Sequence, residues 1–123
     1  MRSLSLGICL AVMAAATSAD GVENKWRVEL SGGAESDGRI VLQLAPAEGD
    51  PIRVTADISA GRSENGVASD VRDALQAQAG KRYNVEIDDG EDVLVKKDDG
   101  ERHFVITVVE NSVRGVRVEV DAE

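Results

Sequence analysis

One cysteine, one histidine, one tryptophan, one tyrosine and one phenylalanine occur in the 123 residues of this chain. Each scarcity excludes something. Cys9 lies in an N-terminal apolar segment. Beyond it there is no thiol for a disulfide, a thiolate zinc site or a nucleophile. Sugar binding calls for aromatic platforms, and strand alternation gives Trp26, Tyr83 and Phe104 inward positions instead. The lone histidine, His103, falls mid-strand in this reading, not on a loop where catalytic groups concentrate. Ser31, Ser36, Ser59, Ser63, Ser69 and Ser112 sit in no nucleophile elbow. No pair of carboxylates stands out for glycoside hydrolysis. The chain reads as non-enzymatic, with no cofactor.

Basic residues are also short: 14 Lys and Arg against 23 Asp and Glu, a net charge of −9. Such a surface repels nucleic acid and anionic membranes and favours basic partners.

The first 19 residues read as a secretory signal. Arg2 provides a positive start, Leu4 to Ala16 is apolar except for Ser5, and Thr17-Ser18-Ala19 offers small residues for cleavage before Asp20. The apolar run is shorter than the ~20 residues a membrane-spanning helix needs. An uncleaved N-terminal anchor is the alternative. Ile8 before Cys9 argues against a lipoprotein signal. Cleavage would remove Arg2 from the 14 basic side chains and leave all 23 acidic ones, so the charge moves from −9 to −10. Residues 20–123 are then one exported domain, periplasmic or secreted, held by its core without disulfides.

Ser63 to Gly80 is the one convincing helix after the leader. Val67, Ala68, Val71, Ala74, Leu75 and Ala79 form a stripe of period 3.6, with Asp70, Arg72, Asp73 and Gln76 opposite. Ser63 or Asn65 can cap its start, and Gly80 suits a left-handed stop. A helix of this length is marginal alone, so its stripe must bury against strands.

Strand patterns flank it. Trp26, Val28 and Leu30 alternate with Lys25, Arg27 and Glu29. Ile40, Leu42 and Leu44 mark a second strand, expected to form a hairpin with the first across the Gly-rich loop 31–38. That loop lacks the Lys-Ser/Thr ending of a phosphate cradle and carries Glu35 and Asp37. Ile52, Val54, Ala56 and Ile58 mark a third strand. After the helix a meander is expected, turning at Asp88-Asp89-Gly90 and again at Asp98-Asp99-Gly100. Three-residue loops with Gly third predict that residue 85 faces 93, 83 faces 95, 95 faces 103 and 93 faces 105. The stretch 101–109 is apolar on both faces and is therefore expected to be central. Val116 to Val120 is the last strand.

The acidic turns invite calcium, which takes 6–8 oxygen ligands. Their spacing is not that of an EF-hand. Successive meander turns lie about 20 Å apart, so they cannot pool ligands. Solvated turns are the expectation, with no metal site. The loop Glu110 to Gly115 follows the supposed central strand and should share an end of the sheet with Asp88-Asp89-Gly90. The contact surface expected there comprises Asp88, Asp89, Glu110, Asn111, Ser112 and Arg114.

The run IRVTADISAG, the helix GVASDVRDAL and the stretch YNVEIDDGEDVLVKKDDGERHFVITV, within residues 52–120, resemble a β–α–β-meander module of bacteriophage tail and related surface-assembly proteins. The resemblance implies the architecture and no site residue. Tail proteins usually lack an export signal, so residues 1–19 speak against that role. The expected fold is α+β, with about seven antiparallel strands around a single helix at about 65–79. The expected function is that of a non-catalytic exported protein that binds another protein, such as a basic hydrolase it inhibits. The alternative is a module that associates with its own copies through a sheet edge.

Overall fold

The computed structural model describes residues 25–97 and 103–123. The expected leader, and the turn at 98–100, lie outside them. Among the described residues, seven antiparallel strands form two sheets with one helix, an α+β fold. The strands are β1 (Lys25–Ser31), β2 (Gly38–Pro46), β3 (Ile52–Ile58), β4 (Tyr83–Asp88), β5 (Asp92–Lys97), β6 (Phe104–Asn111) and β7 (Arg117–Ala122), and α1 is Glu64–Ala79. One sheet runs β4-β5-β1-β7 and the other β3-β2-β6.

The expected β1–β2 hairpin does not form. β1 pairs with β5 and β7, whereas β2 pairs with β3 and β6. The six-residue connection 32–37 is long enough to carry the chain from one sheet to the other. It is held at the crossing by Glu64, whose carboxylate accepts from the Gly32 N–H at 2.8 Å, and by an Ala34 N–H bond to the Arg62 carbonyl at 2.8 Å.

The β4–β5 hairpin is present with a shifted register. Asp88 faces Asp92, Ile87 faces Val93 and Val85 faces Val95. The loop is residues 89–91, because Asp89 (φ 57) as well as Gly90 (φ 79) adopts the left-handed conformation. The shift is even, so each side chain keeps its predicted face. The meander ends there. β6 does not pair with β5; it crosses to the second sheet, where Leu44 faces Ile106 and Pro46 faces Phe104. Val95 faces Trp26 instead of His103. His103 is exposed and precedes the strand.

β6 is thus an edge strand, and the expectation of a central one fails. Phe104 and Ile106 are buried, but Val108 (36%) and Val109 (41%) are exposed. Val41 faces Glu110 while Leu42 faces Val108, so Val109 is an extra, bulged residue. The central strands are β1 and β5 in one sheet and β2 in the other. All three aromatics are buried as expected.

α1 packs on β3 and β4, edge strands of the two sheets, and closes that side of the core; it does not cover β6. Val67, Ala68, Val71, Leu75 and Ala79 are buried, while Ala74 is only partly so. Ser63 is the N-cap, its hydroxyl accepting from the Gly66 N–H at 3.1 Å. Gly80 ends the helix in the right-handed region (φ −65), correcting the expected left-handed stop. Its reason is close approach, since a Cβ there would lie 2.3 Å from the Gln76 carbonyl oxygen. Gln78 caps the free edge of β3. Its amide accepts from the Thr55 N–H at 3.0 Å and donates to the Thr55 carbonyl at 2.9 Å, as a neighbouring strand would. On the other side of the core, the Trp26 Nε1–H donates to the Phe104 carbonyl at 2.8 Å and joins the two sheets.

Candidate functional site

The six expected contact residues do share one end of the molecule, though β1 gathers them and not a meander. The Leu30 N–H donates to the Glu91 carbonyl at 3.1 Å, and Ser31 pairs with Arg117. The β4–β5 turn and the β6–β7 loop therefore flank the end of β1.

Several of the six are engaged within the fold. The Asn111 side chain donates to the Val116 carbonyl (2.9 Å) and accepts from the Val113 N–H (3.1 Å), which closes the β6–β7 loop on itself. The Ser112 hydroxyl accepts from the Arg39 N–H at 2.9 Å. Glu110 lies 3.8 Å from the Arg39 guanidinium, and both are open to solvent. The Arg114 backbone N–H donates to the Ser36 hydroxyl (3.0 Å), and its carbonyl accepts from the Glu35 N–H (2.8 Å). Loop 32–37 thus zips onto loop 112–115, leaving the Arg114 residue exposed. The seam is too tight for side chains: a Cβ at Gly32 would meet the Gly115 carbonyl oxygen at 2.1 Å. Asp88 is paired with Arg27. Asp89 is exposed in the turn.

A second feature is the outer face of the four-stranded sheet. Alternation alone turns Arg27, Glu29, Asp92, Glu119 and Asp121 outward. Register then lines four carboxylates across all four strands. Asp88 faces Asp92, Asp92 faces Glu29, and Glu29 faces Glu119. Facing side chains on adjacent strands are about 5 Å apart, and like charges directly opposite one another are destabilising.

Arg27, in the next row, partly offsets this repulsion. Its guanidinium donates to Asp92 Oδ2 at 2.6 Å, to Asp88 Oδ2 at 3.0 Å and to both Glu123 carboxylate oxygens at 3.2 Å. Those carboxylates, Glu123 foremost, raise the Arg27 pKa and keep it charged. Glu123 is correspondingly held below the usual carboxylate value of 4.5, chiefly by its hydrogen bond to Arg27. Glu29 receives no such help. Asp92 first, then desolvation and Glu119, push its carboxyl above 4.5. Asp92 itself is buried, 7% exposed, so the first acidic turn is not simply solvated.

Nothing in the sequence marks this row. The acids are separated by up to 90 positions along the chain and become neighbours only through strand order. Among the described residues no helix is long and apolar enough to cross a membrane. No protein-family model matches the chain, and no curated protein matches it significantly.

Proposed function

We propose that this chain is a non-catalytic, exported binding protein that docks a basic surface of another protein on the outer face of its four-stranded sheet. The row Asp88–Asp92–Glu29–Glu119 carries the reading. Aligned carboxylates cost stability in the free protein, and a cationic partner relieves that cost on binding. Complementary charge also speeds encounter. A basic hydrolase inhibited by this face is one partner class that fits. Glu110 and Arg114, at the same end of the molecule as the β4–β5 turn, are open to solvent.

A second reading has its own observation. β6 is an edge strand exposing Val108 and Val109, the large apolar side chains most open to solvent among the described residues. Unprotected edges template pairing with another chain, here a second copy. The bulge at Val109 and the net negative charge oppose it.

One experiment separates the two. Capture from envelope and secreted extract is compared for the native chain, Glu29→Lys/Glu119→Lys and Val109→Lys, with elution by salt. Binding of one basic partner, lost with the double reversal and weakening steeply with salt, supports the docking face. A partner held equally well by the double variant overturns it. Recovery of the protein's own copies alone, abolished by Val109→Lys, favours edge association.

A further inference from the structure

The two sheets have four edge strands, and three of those edges are protected. Gln78 takes both backbone groups of Thr55 on β3, α1 packs on β4, and β6 carries the bulge at Val109. β7 has none of these devices, and it contains neither proline nor lysine. Its hydrogen-bond phase fixes what the free edge presents. The Glu123 N–H donates to the Lys25 carbonyl at 2.9 Å, so Arg117, Glu119, Asp121 and Glu123 are the residues that bond to β1. The N–H and C=O groups of Val118, Val120 and Ala122 point the other way. Among the described residues nothing bonds to them. Their side chains pack on the core yet are only partly buried. Val108, opposite Leu42 on β6, is 36% exposed. The core is thus incompletely covered along the β6–β7 side, whereas α1 covers the other.

We propose that β7 accepts an added strand: an extended segment of a partner protein in which Lys or Arg alternates with apolar residues. Main-chain bonds to Val118, Val120 and Ala122 supply the attachment, and alternate side chains supply the selectivity. The segment's apolar residues lie opposite those three and extend the cover of the core. Its cations lie opposite Glu119 and Asp121, which turn outward beside Glu29 and Arg27. The sign of the partner's charge rests on the docking reading; its form, a strand and not a surface, goes beyond that reading. A second copy of β7 fits less well. Antiparallel pairs centred on Glu119, Val120 or Asp121 each set an acid opposite an acid, which is destabilising.

The probe is a capped peptide of alternating lysine and valine, about eight residues long, titrated into the native chain. Binding and amide exchange are followed residue by residue by NMR. Exchange at Val118, Val120 and Ala122 should slow at least about 10-fold at saturation, with Thr55 unchanged. Methylating the backbone nitrogen of every valine in the peptide, where the N–H faces β7, should weaken binding at least about 10-fold. Methylating the lysine nitrogens instead, where the N–H faces away, should not. Glu119→Lys/Asp121→Lys, two exposed positions, should weaken binding about 10-fold, with the fold of the variant checked by its melting curve. Shifts on β1 and β5 without protection of the three amides overturn strand addition and leave docking on the sheet face standing. Equal binding of the two methylated peptides does the same. No change up to about 5 mM peptide also overturns it, and the docking reading then stands or falls on the captured partner. Protection of the three amides in the free chain that grows with protein concentration overturns it in favour of a second copy.

Discussion

Arg27 and Glu29 are two residues apart on one strand and face the same way, yet their situations differ. Arg27 lies among three carboxylates and is 23% exposed at its side chain. Glu29 lies between two carboxylates, and its pKa is raised. The sign of the resulting pH dependence follows from linkage. Just above pH 4.5 the folded chain keeps a proton on Glu29 that the unfolded chain has released. Stability from this residue is present at lower pH and declines as pH rises through the raised folded value. Glu123, with a lowered pKa, acts oppositely: its contribution is present above 4.5 and is lost as pH falls through the folded value. Glu29→Gln should therefore remove the decline above pH 4.5 and raise the denaturation midpoint at pH 7. Urea titrations of both proteins between pH 4 and 7 check this; a variant less stable than native at pH 7 contradicts it. Alternation alone puts both residues on the wet face. It carries no sign of which acid gains an arginine and which does not, because that depends on β5 and β7.

At the scale of the element, α1 is the part most fully legible beforehand. Its stripe and its approximate length follow from local chemistry, and the structure chooses Ser63 over Asn65 as the cap. The stripe residues are the buried ones, with Ala74 at the margin. Leu75 is completely buried, so Leu75→Ala should cost about 2–5 kcal/mol, read from urea or thermal unfolding. A loss below about 1 kcal/mol would mean the helix is not anchored in the core as described. The β4–β5 turn was only half legible. Its Gly90 is left-handed as the turn requires, but Asp89 is too, which moves the three-residue loop one position along the chain and shifts the pairing by two residues. Asp tolerates that conformation better than most residues, and composition does not say when it will.

At the scale of the whole molecule, two sheets share one core, and few features join them across it. α1 closes the β3–β4 side. On the β6–β7 side, the Trp26 indole reaches from β1 to the Phe104 carbonyl of β6. Trp26→Phe keeps most of the apolar bulk and deletes this bond. The expected cost is about 1–3 kcal/mol, since a buried carbonyl loses its partner. The accompanying signature is faster amide exchange in β6 than in β2. Uniform acceleration across both sheets would instead mark a global loss of stability, with no special role for the bond. The net charge also acts at this scale, in the salt dependence of the docking face.

Sequence alone determined the properties that depend on neighbours along the chain. These are the α+β class, the strands of the described residues, their inward faces and the helix with its buried stripe. The reason is that burial periodicity, capping and turn preference are local, with ranges of two to four residues. Tertiary structure decided which strands are neighbours. Antiparallel strands of similar alternation are interchangeable until loop lengths and core shape choose among pairings. Here that choice sent β1 and β2 to different sheets, moved β6 from a supposed centre to an edge, and aligned Asp88, Asp92, Glu29 and Glu119. The candidate sites follow from that alignment, because electrostatics acts on distance in space and not on separation along the chain.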